Sequence, residues 1–233
     1  MARLKTVAIL YEDTPFGRFA LKTFSRLRRK LGLRMVLKQS YNTSTRDFRS
    51  LLTTVKTRKP ELIYMISHNI LDATLLMQQA DELNLHPRLF LGNAAGFASP
   101  EFNEYSGDAS EYVCSPIIWS PYVPYPGAVS FYDRFVAKYD TSPDYHGAQA
   151  YAAMYVIADA LKRAKSFTPI DVRDALAETD MITVFGPVKF ISYGKKTQQN
   201  RITTYLAQWI NGSLEIVWPR EVSTARYVYP AFK

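Results

Sequence analysis

One cysteine, Cys114, in 233 residues rules out an intrachain disulfide and any multi-cysteine zinc site. Histidines are nearly as scarce. His68, His86 and His146 lie far apart, with no H-E-x-x-H or other metal-ligand spacing, so neither a metal nor a cofactor is expected. Ten Gly and 13 Pro are too few for a fibrous or low-complexity chain. No apolar run approaches the length that spans a bilayer; the most apolar stretch, Ala148 to Leu161, is interrupted by Gln149 and Asp159. The apolar run within Met1–Tyr11 is too short for a signal peptide and meets Glu12 and Asp13 at once. G-x-S-x-G is missing, and so is G-x-G-x-x-G after the first apolar run. Gly194-Lys195-Lys196-Thr197 resembles the end of a phosphate loop, but Lys189 stands where its first glycine belongs. Nothing in this inventory argues for an enzyme.

What the chain has in excess is positive charge: 29 Lys and Arg against 21 Asp and Glu. The densest cluster is Arg26, Arg28, Arg29, Lys30 and Arg34, at the end of an expected helix whose dipole favours cations. No nucleic-acid-binding signature accompanies it, so the cluster reads as a solvated helix face and no nucleic-acid partner is expected. Hydrophobic residues at 47% and charged residues at 21% are those of an ordinary folded domain.

The first half alternates strand and helix. Thr6–Tyr11 is a continuous apolar run, as in a strand buried on both faces, and Thr14 or Asp13 can cap the helix that follows. That helix carries Phe16, Phe19, Ala20, Phe24, Leu27 and Leu31 at three- and four-residue spacings and stops at Gly32. A strand from Met35, a helix over Phe48–Val55, a strand at Leu62–Ile66, a helix near Leu71–Leu83 and a strand at Arg88–Leu91 follow, with a further strand at Tyr112–Ile118. The order predicts an α/β fold: an open parallel sheet with right-handed crossovers and helices of 12 to 16 residues. Trp119–Pro126 holds three prolines in eight residues and reads as a linker. Three helices follow without a strand between them, Gly127–Tyr139, Gly147–Ala164 and Pro169–Glu178. β patterning then returns at Val188–Phe190, Thr203–Trp209 and Leu214–Trp218, with Asn211-Gly212 as a tight-hairpin signal. The tail reads as irregular, with Tyr227, Tyr229 and Phe232 available to pin it.

In open α/β sheets ligands bind at the carboxyl ends of the strands, beside helix N-termini. Those ends hold Asp13, Thr14, Pro15 and Phe16, then Ser67, His68 and Asn69, then Asn93, Ala94 and Ala95. Glu12 and Asp13 would suit a phosphoacceptor receiver domain, but the third strand ends without the aspartate that carries the phosphate. A small polar or aromatic solute suits this rim of one aromatic ring, one imidazole, amides and hydroxyls. Each residue also has a plainer role as turn or cap: Asn69 as N-cap, Asn93 in a turn, Phe16 as a staple.

Thr6–Gly17 resembles the first strand and turn of the second lobe of type I periplasmic binding proteins, in the branched-chain amino acid branch that serves ABC transporters. Asp47-Phe48, Pro60–Tyr64, Val184–Val188, Gln208–Gly212 and Ile216–Pro230 match in order, so the resemblance covers the whole chain. It implies a non-enzymatic solute-binding module of an amino-acid-type ABC importer, with a permease as partner and a periplasmic or extracellular location. It also implies that a first lobe on the order of 100 residues or more is absent. Residues 4–118 and 183–218 would form the ligand-binding lobe, residues 119–182 a crossing segment and helices of the incomplete first lobe, and 219–233 the tail. The 127–178 helices would then meet that first lobe or a second chain through a bare apolar face of Tyr151, Met154, Tyr155, Ile157, Ala158 and Leu161. By the same resemblance Phe16 takes the place of a ligand-stacking aromatic, His68 or Asn69 that of a tyrosine, and Ala94 that of a glutamate pairing with the ligand ammonium. With that carboxylate gone, a carboxylate, amide or aromatic solute is expected at least as readily as a branched-chain amino acid. The alternative is a ligand-sensing domain of the same fold within a signalling protein; an α/β enzyme with unrecognised catalytic groups is the third reading.

Overall fold

Alternating side chains that are apolar on both sides of a strand require cover on both faces, and the first unit of the chain is built on that demand. The computed structural model describes residues 4–231. It divides into two compact units: the chain up to Pro116 together with the chain from Leu206 onward, and residues 117–205.

The first unit carries a seven-stranded sheet. β1 (Thr6–Glu12), β2 (Arg34–Tyr41), β3 (Leu62–Ile66), β4 (Leu89–Asn93) and β5 (Cys114–Ile117) come from the first half of the chain, β10 (Tyr205–Ile210) and β11 (Ser213–Trp218) from its end. The order across the sheet is β11-β10-β5-β4-β3-β1-β2. β2-β1-β3-β4-β5 pair in parallel, and β10-β11 form an antiparallel hairpin. The mostly parallel open sheet expected from the sequence is therefore present, with the hairpin added at one edge. Asn211 (φ 51°) and Gly212 (φ 77°) make its turn, a conformation that glycine adopts without steric cost.

Successive residues point to opposite faces. Val7, Ile9, Leu62, Tyr64 and Ile66 pack on one side against Ala20, Leu21 and Phe24 of α1 (Pro15–Lys30). Ala8, Leu10, Ile63, Met65 and Phe90 pack on the other, against α2 (Arg49–Thr57), α3 (Ile70–Glu82) and α5 (Pro100–Ser106). α2 has nine residues, shorter than the 12 to 16 expected, because Lys59 turns with φ 46° and Pro60 opens the next strand. Between β4 and β5 the structure adds two helices that the periodicity does not reveal, α4 (Ala95–Ala98) and α5, followed by a 3₁₀ turn. They seat Phe97 and Phe102 against Trp209, whose indole N–H donates to the Phe97 carbonyl at 2.9 Å. The tail belongs to this unit. The buried Gln208 amide donates to Tyr112 O and Val228 O, and its oxygen accepts from Val228 N–H at 2.9 Å. Phe232, expected to help pin the tail, lies outside the described residues.

The second unit contains α6 (Ala128–Tyr139), α7 (Tyr145–Arg163) and α8 (Pro169–Ala177). Asp144 and Thr168 cap α7 and α8 by accepting from the N–H groups of Gly147 and Asp171. Two small hairpins follow: β6 (Asp180–Thr183) with β7 (Gly186–Lys189), and β8 (Ile191–Tyr193) with β9 (Lys196–Gln199). Here the structure differs from the expected boundary. Residues 183–205 group with the helices, because β6–β9 form two sheets of their own and only β10 and β11 join the large one. Within Trp119–Pro126, Trp119 and Val123 are buried while Tyr122 is exposed, and the Trp119 indole donates to Val184 O at 2.9 Å.

α7 is two-sided. Its inward stripe is small, with Ala148, Ala152, Val156 and Ala160 buried at four-residue spacing, while the large apolar side chains face out: Met154 is 64% exposed, Tyr155 54% and Leu161 39%.

Candidate functional site

The candidate site is the edge of the first unit where β1, β3 and β4 end. Register places these ends side by side: Tyr11 pairs with Ile66, and Ile66 with Asn93. Each strand passes directly into a helix or turn, so every candidate residue sits in a strand-to-helix junction.

Glu12 organises the first two junctions. It is buried; one carboxylate oxygen accepts from the Thr14 hydroxyl at 2.8 Å and the other from the His68 backbone N–H at 2.7 Å. Thr14 Oγ1 in turn accepts from Gly17 N–H at 3.0 Å and caps α1. A Cβ at Gly17 would stand 2.0 Å from the Glu12 carbonyl oxygen, so only glycine lets α1 start this close to β1. Asp13 is ion-paired with Arg18. With both acids engaged, this junction presents the Phe16 ring, 43% exposed, as its outward group.

At the end of β3, Ser67 is buried and His68 and Asn69 are exposed. Asn69 Oδ1 caps α3 by accepting from Asp72 N–H at 3.2 Å. The His68 and Phe16 rings have centroids 6.2 Å apart at a 59° tilt, so the two junctions present an imidazole and a phenyl ring together. At the end of β4, Asn93 is half-buried, and its carbonyl accepts from Ser67 N–H at 3.2 Å. Burial pushes the Tyr64 phenol up to about 12. Ala94 holds φ 83° and ψ −179°, a region that essentially only glycine occupies without strain.

The six candidate residues Thr14, Phe16, His68, Asn69, Asn93 and Ala94 thus occupy three adjacent junctions of one edge. They are not equally available. The Thr14 hydroxyl and the Asn69 oxygen serve as caps, which leaves the Phe16 ring, the His68 imidazole and the amide N–H groups of Asn69 as outward groups.

Sequence reasoning missed the acidic layer beneath this edge. Asp72, on the first turn of α3, is fully buried, and neither carboxylate oxygen has a hydrogen-bond partner among the described residues. Burial pushes its carboxyl up to about 6, opposed by Arg46 and reinforced by Glu12. Burial raises the phenol of Tyr41, which donates to Ile66 O at 3.1 Å, and the fields of Asp72 and Glu12 raise it further. Asp72 sits in an Asn-x-x-Asp helix start that reads from sequence as ordinary capping; its burial is set by tertiary packing alone.

A sheet covered on both faces, with polar and aromatic groups gathered where its parallel strands end, has the architecture of an open α/β lobe whose strand ends are the usual place for a ligand. The chain belongs to the periplasmic binding protein family, whose profile matches residues 2–213. The family is one of binding proteins, which agrees with the expectation that the chain is not an enzyme. Among curated relatives, the Leu/Ile/Val-binding protein homolog 7 of Brucella melitensis is 28% identical over 228 residues, covering 91% of this chain and 55% of its own length. Homolog 8 of the same organism is 25% identical over 230 residues, covering 94% and 56%. The chain therefore spans about half the length of the curated relatives it matches. Among solved structures, the Streptococcus pneumoniae substrate-binding protein LivJ in complex with isoleucine has a TM-score of 0.78 at 24% identity, over 93% of this chain and 61% of that one. A Rhodopseudomonas palustris solute-binding protein in complex with benzoate has a TM-score of 0.79 at 18% identity, over 97% and 60%. Both likenesses establish the fold.

Proposed function

We propose that the chain is the ligand-binding part of a periplasmic solute-binding protein of an ABC importer, and that its solute is an aromatic or amide-bearing carboxylate rather than a branched-chain amino acid. The observation that carries this reading is the Phe16–His68 ring pair on an edge with no unpaired exposed carboxylate among the six candidate residues and their neighbours. Glu12 is buried and doubly engaged, Asp13 is held by Arg18, and Ala94 brings no charge. An α-ammonium would lose its water here and gain no counter-charge, which is costly. A flat ring needs no counter-charge to pack against the Phe16 and His68 rings, and the Asn69 amide can donate to an oxygen. The relatives named for leucine, isoleucine and valine and the relative holding benzoate support a solute-binding role in transport; the family supports a periplasmic location and a permease partner.

The reading extends to a lobe that completes the fold. The outward face of α7 is wide, apolar and exposed, and this chain spans about half the length of the curated relatives it matches. That face is the seat of the first lobe or, in its absence, of a second copy of the chain.

The test is an amide-resolved NMR titration of the chain with benzoate, benzamide and isoleucine, a method that registers affinities as weak as about 1 mM. Benzoate or benzamide is expected to shift the amides of Phe16, His68, Asn69 and Asn93. Isoleucine shifting those amides at lower concentration than either aromatic solute would refute the ligand class. Shifts confined to other residues would refute the site.

A further inference from the structure

The edge opposite the candidate site, where the strands of the first unit begin, has its own chemistry. α1 contains no acidic residue and ends in Arg28, Arg29 and Lys30. The chain turns at Gly32 and enters β2 at Arg34, whose N–H donates to Lys5 O at 2.8 Å, so the end of α1 and the starts of β1 and β2 are one contiguous surface. β3, on the other side of β1, is preceded by Arg58 and Lys59. Lys5, Arg29, Lys30, Arg34, Arg58 and Lys59 are all exposed, and none forms an ion pair among the described residues. The acid nearest in sequence, Glu61, is already engaged: it accepts from the Lys5 backbone N–H and pairs with Arg88 at 3.4 Å. Among the cations stand two large apolar side chains, Leu27 at 49% and Leu31 at 59% exposure.

Helix-dipole complementarity accounts for cations in the last turn of α1. It does not account for those at the starts of three strands, nor for two leucines left in water among them. The geometry points to an anionic phospholipid surface as the partner of this edge: the cations meet the headgroup phosphates while Leu27 and Leu31 enter the boundary beneath them. An acidic protein would satisfy the charges alone. A lipid interface also takes up apolar side chains interspersed among cations, which is what this end of α1 displays. The proposal does not depend on the ligand class, since it concerns the opposite edge of the sheet.

The experiment is co-sedimentation of the full chain with vesicles of phosphatidylcholine alone or mixed with phosphatidylglycerol, at low salt and at about 0.15 M. Binding is expected only to the anionic vesicles and is expected to weaken with salt. Arg29→Glu with Lys30→Glu should lower partition by at least about tenfold, since each cation near such a surface is worth about fivefold. Leu27→Ser with Leu31→Ser should lower it severalfold without altering the salt dependence. Lys162→Glu with Lys165→Glu, which changes net charge equally on the other unit, should leave it unchanged. Circular dichroism confirms that each variant is folded, and a charge-reversed pair that fails to fold is replaced by Arg58→Glu with Lys59→Glu. Equal binding to neutral vesicles, equal loss in the Lys162/Lys165 variant, or capture by polyglutamate with none by anionic vesicles would each overturn the proposal.

Discussion

Replacing Asp72 by asparagine should make the protein more stable at neutral pH and leave it nearly unchanged in acid. Asp72 has no exposed surface and no hydrogen-bond partner for either oxygen among the described residues, and its carboxyl is moved from an ordinary 3.8 to about 6. The folded state therefore binds this proton more tightly than the unfolded state. The stability it contributes is complete below about pH 3.8, falls as pH rises, and is gone above about 6. Each tenfold change in proton affinity is worth about 1.4 kcal/mol, so the fall is about 3 kcal/mol, a sizeable share of a domain's margin. The Asp72→Asn variant has the shape of the protonated acid and does not titrate. Urea unfolding of both proteins at intervals from pH 4 to 8 isolates the effect, because titrating groups not coupled to Asp72 cancel in the difference. The difference should grow by about 2.4 kcal/mol in favour of the variant between pH 4 and 7. Parallel pH profiles would refute the reasoning and mean that Asp72 finds a partner that keeps its ordinary proton affinity.

Three further outcomes are expected. Gly17→Ala places a methyl against the Glu12 carbonyl oxygen and should cost about 2–4 kcal/mol in the same assay, with loss of the His68 N–H signal position as the Glu12 bond is disturbed. Ala94→Gly relieves a conformation that costs of order 1–3 kcal/mol and should stabilise the protein by about 1 kcal/mol, measured as a raised urea midpoint at constant slope. Met154→Ser with Leu161→Ser should suppress self-association of the chain in sedimentation velocity without lowering its melting temperature; an unchanged sedimentation coefficient at all concentrations would show that the α7 face is not an association surface.

The strands of the first unit were legible because burial on both faces leaves continuous runs such as Thr6–Tyr11 and Leu62–Ile66. Their helices were legible through caps and periodicity, as with Thr14 and Asn69. The positions of the candidate residues followed from a rule about strand ends that needs no contact information. α4 and α5 were not legible, since each is shorter than the window over which helical periodicity can be seen. The assignment of residues 183–205 failed for a different reason: a short strand's pattern tells which way its side chains point, not which sheet it joins. Asp72 and Glu12 look alike in sequence to any capping acid. Only packing separates the one that is bonded twice from the one with no hydrogen-bond partner among the described residues.

The first unit is interrupted: the chain leaves its sheet after β5 and re-enters at β10, and these two strands are hydrogen-bonded neighbours. Closing that pair while the intervening roughly 90 residues are a random coil costs about 4 kcal/mol of loop entropy, against about 1 kcal/mol for a loop of a few residues. A prefolded second unit removes most of that difference before β10 docks. The order of events in folding is thereby biased: β1–β5 with their helices can assemble as synthesis proceeds, the inserted unit condenses next, and the β10–β11 hairpin seals the edge last. Trp209 sits in that hairpin, so its burial should be the final fluorescence change of refolding, later than that of Trp119.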